Sequence, residues 1–180
     1  MNTKLHIYTE QEAFMKLSAL CASAEYCEAD MRRKMARWIL VSPSQTLPEG
    51  EDLADTEIND EVSNDKIKNR IIDKLYQERF IDENRYAHAF VRDKFRYNHW
   101  GKVRISQELR MRKIDAAIIA EALEEIPEDD NLDTLRQLIA SKKKSVKGKS
   151  EYDIRCKLIR FALGRGFQMD DILKVVGDVD

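Results

Sequence analysis

The sequence predicts an all-α protein, an elongated array of three tandem three-helix repeats with about nine helices. Three observations point there. Only 6 glycines and 3 prolines punctuate 180 residues, too few for a many-stranded β fold. Apolar residues recur at helical spacing through most of the chain. One pattern also returns at a constant offset. Arg104-Ile105, Leu109, Arg112-Lys113-Ile114 and Ile119 are matched by Lys157-Leu158, Ala162, Arg165-Gly166-Phe167 and Ile172.

Taken in order, Thr9 and Glu12 have the form of a capping box ahead of Phe14, Leu17, Leu20 and Cys21, so a helix is expected over about 10–22. Ser23 is read as the cap of a second helix carrying Cys27, Met31, Met35 and Trp38 and ending near Leu40, before Pro43. Residues 42–63, with Pro43, Pro48, Gly50 and many acids, read as a long insertion. Asn64 is read as the cap for Ile67, Ile71 and Leu75. Asp82 is read as the cap for Tyr86, Phe90, Val91 and Phe95, on a helix stopping near Trp100-Gly101, where glycine supplies left-handed geometry. Val103, Ile105 and Leu109 mark the next helix, and Asp115 precedes Ile118, Ile119, Ala122 and Leu123, a run closed by Pro127.

Leu132, Leu135, Leu138 and Ile139 follow, with Lys142-Lys143-Lys144 suited to the negative pole of that helix. Ser150 and Asp153 cap Ile154, Leu158, Phe161 and Ala162; Gly164 and Gly166 are read as breaks; Ile172, Leu173 and Val176 form a last short helix. No strand is expected. Met31 and Met35 align with Ile105 and Leu109. Asn64, Ile67, Ile71 and Leu75 align with Asp115, Ile118, Ala122 and Ile126. The repeats are therefore placed at 9–80 (with the acidic insertion 42–63), 82–127 and 130–178. A unit of ~45 residues buries too little apolar surface to stand alone, and stacking would supply the rest.

The net charge of −2 hides segregation. From Arg85 to Lys113 nine Lys/Arg face two acids, and from Lys142 to Arg165 nine face two. From Glu49 to Asp65 there are eight acids and no base, and from Glu121 to Asp133 seven and no base. Binding responds to the local potential, so two basic blocks point to a polyanion or an acidic protein surface. The candidate contact residues are Arg92, Lys94, Arg96, Trp100, Lys102, Arg104, Arg110 and Arg112 in the first block. In the second they are Lys142, Lys143, Lys144, Lys147, Lys149, Arg155, Arg160 and Arg165. Tyr97, His99 and Trp100 interleave with the first block, as stacking aromatics do in single-strand binders. Trp100 equally fits a wedge between repeats. Arg85 and Tyr86 are read as structural: Tyr86 in the core, Arg85 paired with an acid.

Other chemistry finds little support. Gly148-Lys149-Ser150 lacks the glycine that a phosphate-binding loop needs at position 143, where Lys143 stands, and no strand precedes it. His6, His88 and His99 form no ligand spacing with carboxylates, and Cys21, Cys27 and Cys156 are an odd set read as buried thiols of a reducing cytosol. No catalytic, cofactor or metal site is expected. No apolar run approaches the ~20 residues of a membrane span, and residues 1–6 carry no signal-peptide core.

The run Phe80-Ile81-Asp82-Glu83-Asn84-Arg85-Tyr86-Ala87, continuing to Phe90-Val91-Arg92-Asp93-Lys94, resembles the signature of the RecX family. So do Gly101 to Arg110, Lys113-Ile114-Asp115, and Leu158 to Phe167. The resemblance covers about 20–176 outside the insertion. It implies three tandem three-helix repeats in a bacterial cytosolic protein, non-catalytic and without cofactor. That protein would lie in the groove of the RecA recombinase filament on DNA and inhibit ATP hydrolysis and strand exchange. A monomer is expected, with RecA and DNA phosphates as partners and no membrane. Lys113 stands where the family usually has glycine, and the acidic insertion enlarges the first repeat. That insertion could fold over the basic surface as a nucleic-acid mimic. Two other readings use the same residues. One is a helix-turn-helix regulator, disfavoured by acidic Glu121, Glu124 and Glu125 on its recognition helix. The other is a scaffold binding only protein.

Overall fold

Thr9 opens the first helix as its sequence requires. Its hydroxyl accepts from the Glu12 N–H, and the Glu12 carboxylate accepts from the Thr9 N–H. Helix α1 then spans Glu10–Cys21. The computed structural model describes residues 6–41 and 61–177. Among these, α2 is Glu28–Met35, α3 Glu61–Gln77, α4 Glu83–Arg96, α5 Lys102–Met111 and α6 Ala116–Glu124. They are followed by α7 Glu128–Lys143, α8 Glu151–Arg165 and α9 Met169–Gly177. The all-α class holds, with one small exception.

That exception is a pair of parallel strands, β1 (His6–Thr9) and β2 (Trp38–Val41), in register His6 with Trp38 through Thr9 with Val41. The sequence pattern predicts no strand and carries the second helix to Leu40. That helix ends at Met35 instead. Trp38 follows Met35 at helical spacing, but Ile39 and Val41 are β-branched and Leu40 is buried, which suits a short extended segment. Trp38 packs diagonally across the pair on Tyr8, ring centroids 4.7 Å apart. Two other expected caps are displaced. Ser23 closes α1 by donating to Leu20 O, and α2 starts after Cys27. Asn64 lies inside α3, where its amide donates to Trp38 O and ties the helix to β2. Of the insertion read at 42–63, residues 42–60 lie outside the described residues and 61–63 belong to α3.

The chain divides into two compact units, Met1–Tyr86 and Ala87–Asp180. The first packs Ala13, Leu17, Met31, Met35, Leu40, Ile67, Ile71, Ile72, Leu75 and Ile81 into one core. Arg70 clamps Glu10 with two guanidinium nitrogens (Nη2 to Oε2 2.7 Å), joining α3 to α1. Arg85 pairs with Glu25 at 2.6 Å and also reaches the carbonyls of Arg79 and Phe80. Tyr86 is buried, and both residues are structural, as read. The Tyr76 hydroxyl sits within hydrogen-bond reach of Glu28 (3.2 Å) and Glu83 (3.1 Å). Burial first, then those two carboxylates, push its pKa well above the ordinary tyrosine value. Of the cysteines only Cys27 is fully buried. Cys21 and Cys156 are partly exposed, and all three are free thiols.

In the second unit, Ile105, Leu109, Ile114, Ile119, Ala122 and Ile126 are buried. So are Leu135, Ile139, Leu158, Ala162, Phe167, Ile172, Val175 and Val176, which form one cluster. Helices α5 and α8 end alike. The Lys113 N–H donates to Arg110 O and the Ile114 N–H to Leu109 O. The Gly166 N–H donates to Leu163 O and the Phe167 N–H to Ala162 O. Each is a Schellman closure with a left-handed residue, Lys113 at φ 62 and Gly166 at φ 88. Lysine therefore occupies a backbone conformation that costs an L-residue ~1–2 kcal/mol. Lys113→Gly should raise stability by about 1 kcal/mol, with a melting midpoint ~4–8 °C higher for a unit of this size. Thermal unfolding of the two proteins, with Lys113→Ala expected to show no gain, checks this.

Candidate nucleic-acid interface

All sixteen candidate residues lie on the second unit, and the backbone joins their two blocks. The N-terminus of α5 meets the C-terminus of α8: the Gly101 N–H donates to Arg165 O at 2.8 Å and the Val103 N–H to Gly166 O at 3.1 Å. Amides left over at one helix start thus satisfy carbonyls left over at another helix end. Two glycines make the approach possible. A Cβ on Gly101 would lie 2.5 Å from Gly166 C, and one on Gly166 would lie 2.5 Å from Arg104 N. Gly101 therefore serves close contact rather than a left-handed turn. Its φ is −76°, and the left-handed residue at the end of α4 is His99, φ 51. Gly164 does not break α8, which runs through it to Arg165.

Side chains reinforce this splice. Arg165 Nη1 donates to Asn98 O and Arg104 Nη1 to Gly164 O, both at 3.0 Å. The Arg104 guanidinium lies 4.0 Å from the Trp100 ring centroid, and Lys94 Nζ is 5.5 Å from it. Trp100 is thus half-buried with a guanidinium of its own chain stacked on it. Similar cation–ring contacts hold Arg112 over Phe90 (5.0 Å), and Lys142 and Arg165 over Phe161 (5.4 Å each).

The remaining candidates divide by role. Lys102 pairs with Glu128 at 2.7 Å, which holds the Glu128 carboxyl below the usual range. Arg112 pairs with Glu108 at 2.8 Å, and Arg92 approaches Glu125 at 3.7 Å, an acid that also meets His88 Nδ1 at 2.7 Å. Lys143 and Arg155 line a cavity of about 230 Å³ with Ile139, Glu151, Ile154, Leu158 and Val176. The side chains of Arg96, Arg110, Lys144, Lys147, Lys149 and Arg160 are exposed.

The lysine-rich loop is pinned rather than loose. Lys157 Nζ donates to Lys147 O and to Asp153, and the Lys149 N–H donates to the Asp153 carboxylate. These donors hold the Asp153 pKa below its usual value. Gly148 allows the close pass, since a Cβ there would lie 2.6 Å from Ile154 Cγ1. Ser150 caps α8 as read, accepting from the Asp153 N–H. Sequence reasoning missed Gly101, Gly166, Asn98 and Lys157 as the residues that hold this face together. The constant offset between α5 and α8 was the one signal that could have paired them.

Among the described residues, no group of three or more His, Cys, Asp or Glu side chains could hold a metal ion. No helix there is long and apolar enough to cross a membrane.

Residues 82–123 match the family described as RecX, second three-helix domain, and residues 128–176 match RecX, third three-helix domain. Regulatory protein RecX of Bacillus cytotoxicus is 31% identical over 106 residues, covering 59% of this chain and 39% of that protein. Regulatory protein RecX of Clostridium acetobutylicum is 32% identical over 121 residues, covering 64% and 55%. The matched stretch thus spans well under two thirds of either relative. Two crystal structures share the fold. One, of regulatory protein RecX, has TM-score 0.71 and 18% identity over 94% of this chain and 71% of that one. The other, of RecX from Lactobacillus salivarius, has TM-score 0.67 and 17% identity over 95% and 96%. With the second and third domains of one family matched across just over half of its length, the chain belongs to the RecX family.

Proposed function

We propose that this protein binds the RecA recombinase filament on DNA and restrains its ATP hydrolysis and strand exchange, acting in recombination and DNA repair. The observation that carries this reading is the splice of α5 to α8, which sets both basic blocks on one unit. Exposed Arg96, Arg110, Lys144, Lys147, Lys149 and Arg160 are the groups able to meet DNA phosphate or an acidic filament surface. Arg104, Arg165, Trp100 and Lys102 hold that face in shape. The protein performs no chemistry of its own. It acts as a monomer in the bacterial cytosol, as three three-helix units near 9–80, 82–127 and 130–178 that bridge neighbouring filament subunits.

Co-sedimentation with RecA filaments assembled on single-stranded DNA tests this. The protein should pellet with filaments at low salt and be released as salt rises. Failure to pellet with verified filaments would refute the proposal.

A further inference from the structure

The fourteen aromatic side chains of this chain are not placed at random. Twelve are buried or half-buried. The two exposed ones are Tyr97, 79% exposed, and Tyr152, 76% exposed. Each stands inside one of the two basic blocks. Tyr97 follows Arg96 in the turn after α4, where the next carbonyl, that of Asn98, is held by Arg165. Tyr152 stands in the first turn of α8, between Lys149 and Arg155. Arg165 is the last residue of α8, ~20 Å along the helix axis from Tyr152 at 1.5 Å per residue, so the two rings stand near opposite ends of one helix.

Three other aromatics of the basic blocks are already engaged. Trp100, Phe90 and Phe161 each carry a cation of the same chain over the ring. Tyr97 and Tyr152 present flat, rigid, apolar faces to solvent in a positive field. A duplex offers that field only phosphates and groove edges, because its bases are stacked on each other. A single strand offers free π-faces, and stacking on an aromatic ring accepts any base.

We infer that Tyr97 and Tyr152 are stacking platforms for unpaired nucleobases, and that they make the basic face prefer single-stranded over duplex DNA. This rests on the reading of that face as a DNA-phosphate surface. The lysines and arginines supply affinity for either form, and the two rings add an attraction that only an unstacked strand can collect.

Fluorescence anisotropy with the full chain tests this on three probes of equal length: an oligothymidine, a hairpin duplex and an abasic strand. Tyr97→Ala and Tyr152→Ala should each weaken oligothymidine binding about tenfold. Duplex and abasic-strand binding, and the salt dependence, should stay unchanged. Tyr97→Phe and Tyr152→Phe should bind as the unaltered protein does, since the ring and not the hydroxyl stacks. Both side chains are exposed, so the alanine variants should melt as the parent does. If alanine leaves oligothymidine affinity unchanged, or weakens duplex binding equally, the inference is overturned while the DNA-phosphate surface stands. If the unaltered protein binds none of the probes, that surface and the inference both fall. If the variants bind DNA normally but lose RecA filaments, the tyrosines face protein instead, and the inference is overturned.

Discussion

Gly166→Ala is expected to lower the stability of the Ala87–Asp180 unit by about 3 kcal/mol or more and to dismantle the basic face. Two costs combine. At φ 88 an alanine is in left-handed geometry, which costs ~1–2 kcal/mol. Its Cβ would also sit 2.5 Å from Arg104 N and 2.9 Å from Arg104 Cα, backbone that cannot turn aside. Relief requires α5 and α8 to part, which breaks the bonds from Gly101 N–H to Arg165 O and from Val103 N–H to Gly166 O, about 1 kcal/mol each. Two neighbours serve as controls. Gly101→Ala meets the same backbone from the other side but without a φ penalty, so it should cost less than Gly166→Ala. Gly164→Ala adds a methyl with nothing within 4 Å in the last turn of α8 and should be neutral or stabilising by up to about 1 kcal/mol. Urea unfolding midpoints rank the three. Equal midpoints for Gly164→Ala and Gly166→Ala would mean the splice does not form.

Reversing Arg96, Arg110, Lys144 and Lys147 to glutamate should weaken DNA and filament binding by at least ~100-fold at physiological salt, with little change in melting temperature. These side chains are exposed and make no hydrogen bond or ion pair among the described residues, so their charge is available to a partner. For every phosphate that goes unneutralised, the slope of log K against log salt should also fall by about 0.9. The same substitutions at Lys102 and Arg104 would have a different effect. Lys102 is paired with Glu128, and Arg104 is bonded to Gly164 O and stacked on Trp100. Reversal there would destabilise the unit as well as reduce its charge. Anisotropy with labelled DNA at several salt concentrations, set beside thermal melts, separates the two groups. Retained affinity in the four-residue variant would move the interface elsewhere.

The contrast between these two groups shows what a linear sequence can and cannot convey. Helical periodicity locates the helices, because buried positions such as Ile105, Leu109, Leu158 and Ala162 recur at the helical repeat. Thr9, Asp82, Asp115 and Ser150 are legible as caps, since capping depends on residues within three positions. The strands are not legible. Two four-residue segments about thirty positions apart pair only once the intervening helices fold, and Trp38 continues the spacing of the preceding helix. For the face, charge clustering marks two blocks but cannot sort their members. Whether an arginine meets solvent, as Arg96 does, or a carbonyl more than sixty positions away, as Arg165 does, depends on tertiary contact. Gly101 and Gly166 look like breaks in the sequence because the need for a missing Cβ appears only when the other helix is in place.

The most direct test of the account is the rate of DNA-stimulated ATP hydrolysis by RecA as this protein is titrated in. The account predicts a fall that is complete at or below one protein per RecA, is reversed by high salt, and is lost in the variant with Arg96, Arg110, Lys144 and Lys147 reversed. An unchanged rate with filaments verified as formed would contradict it.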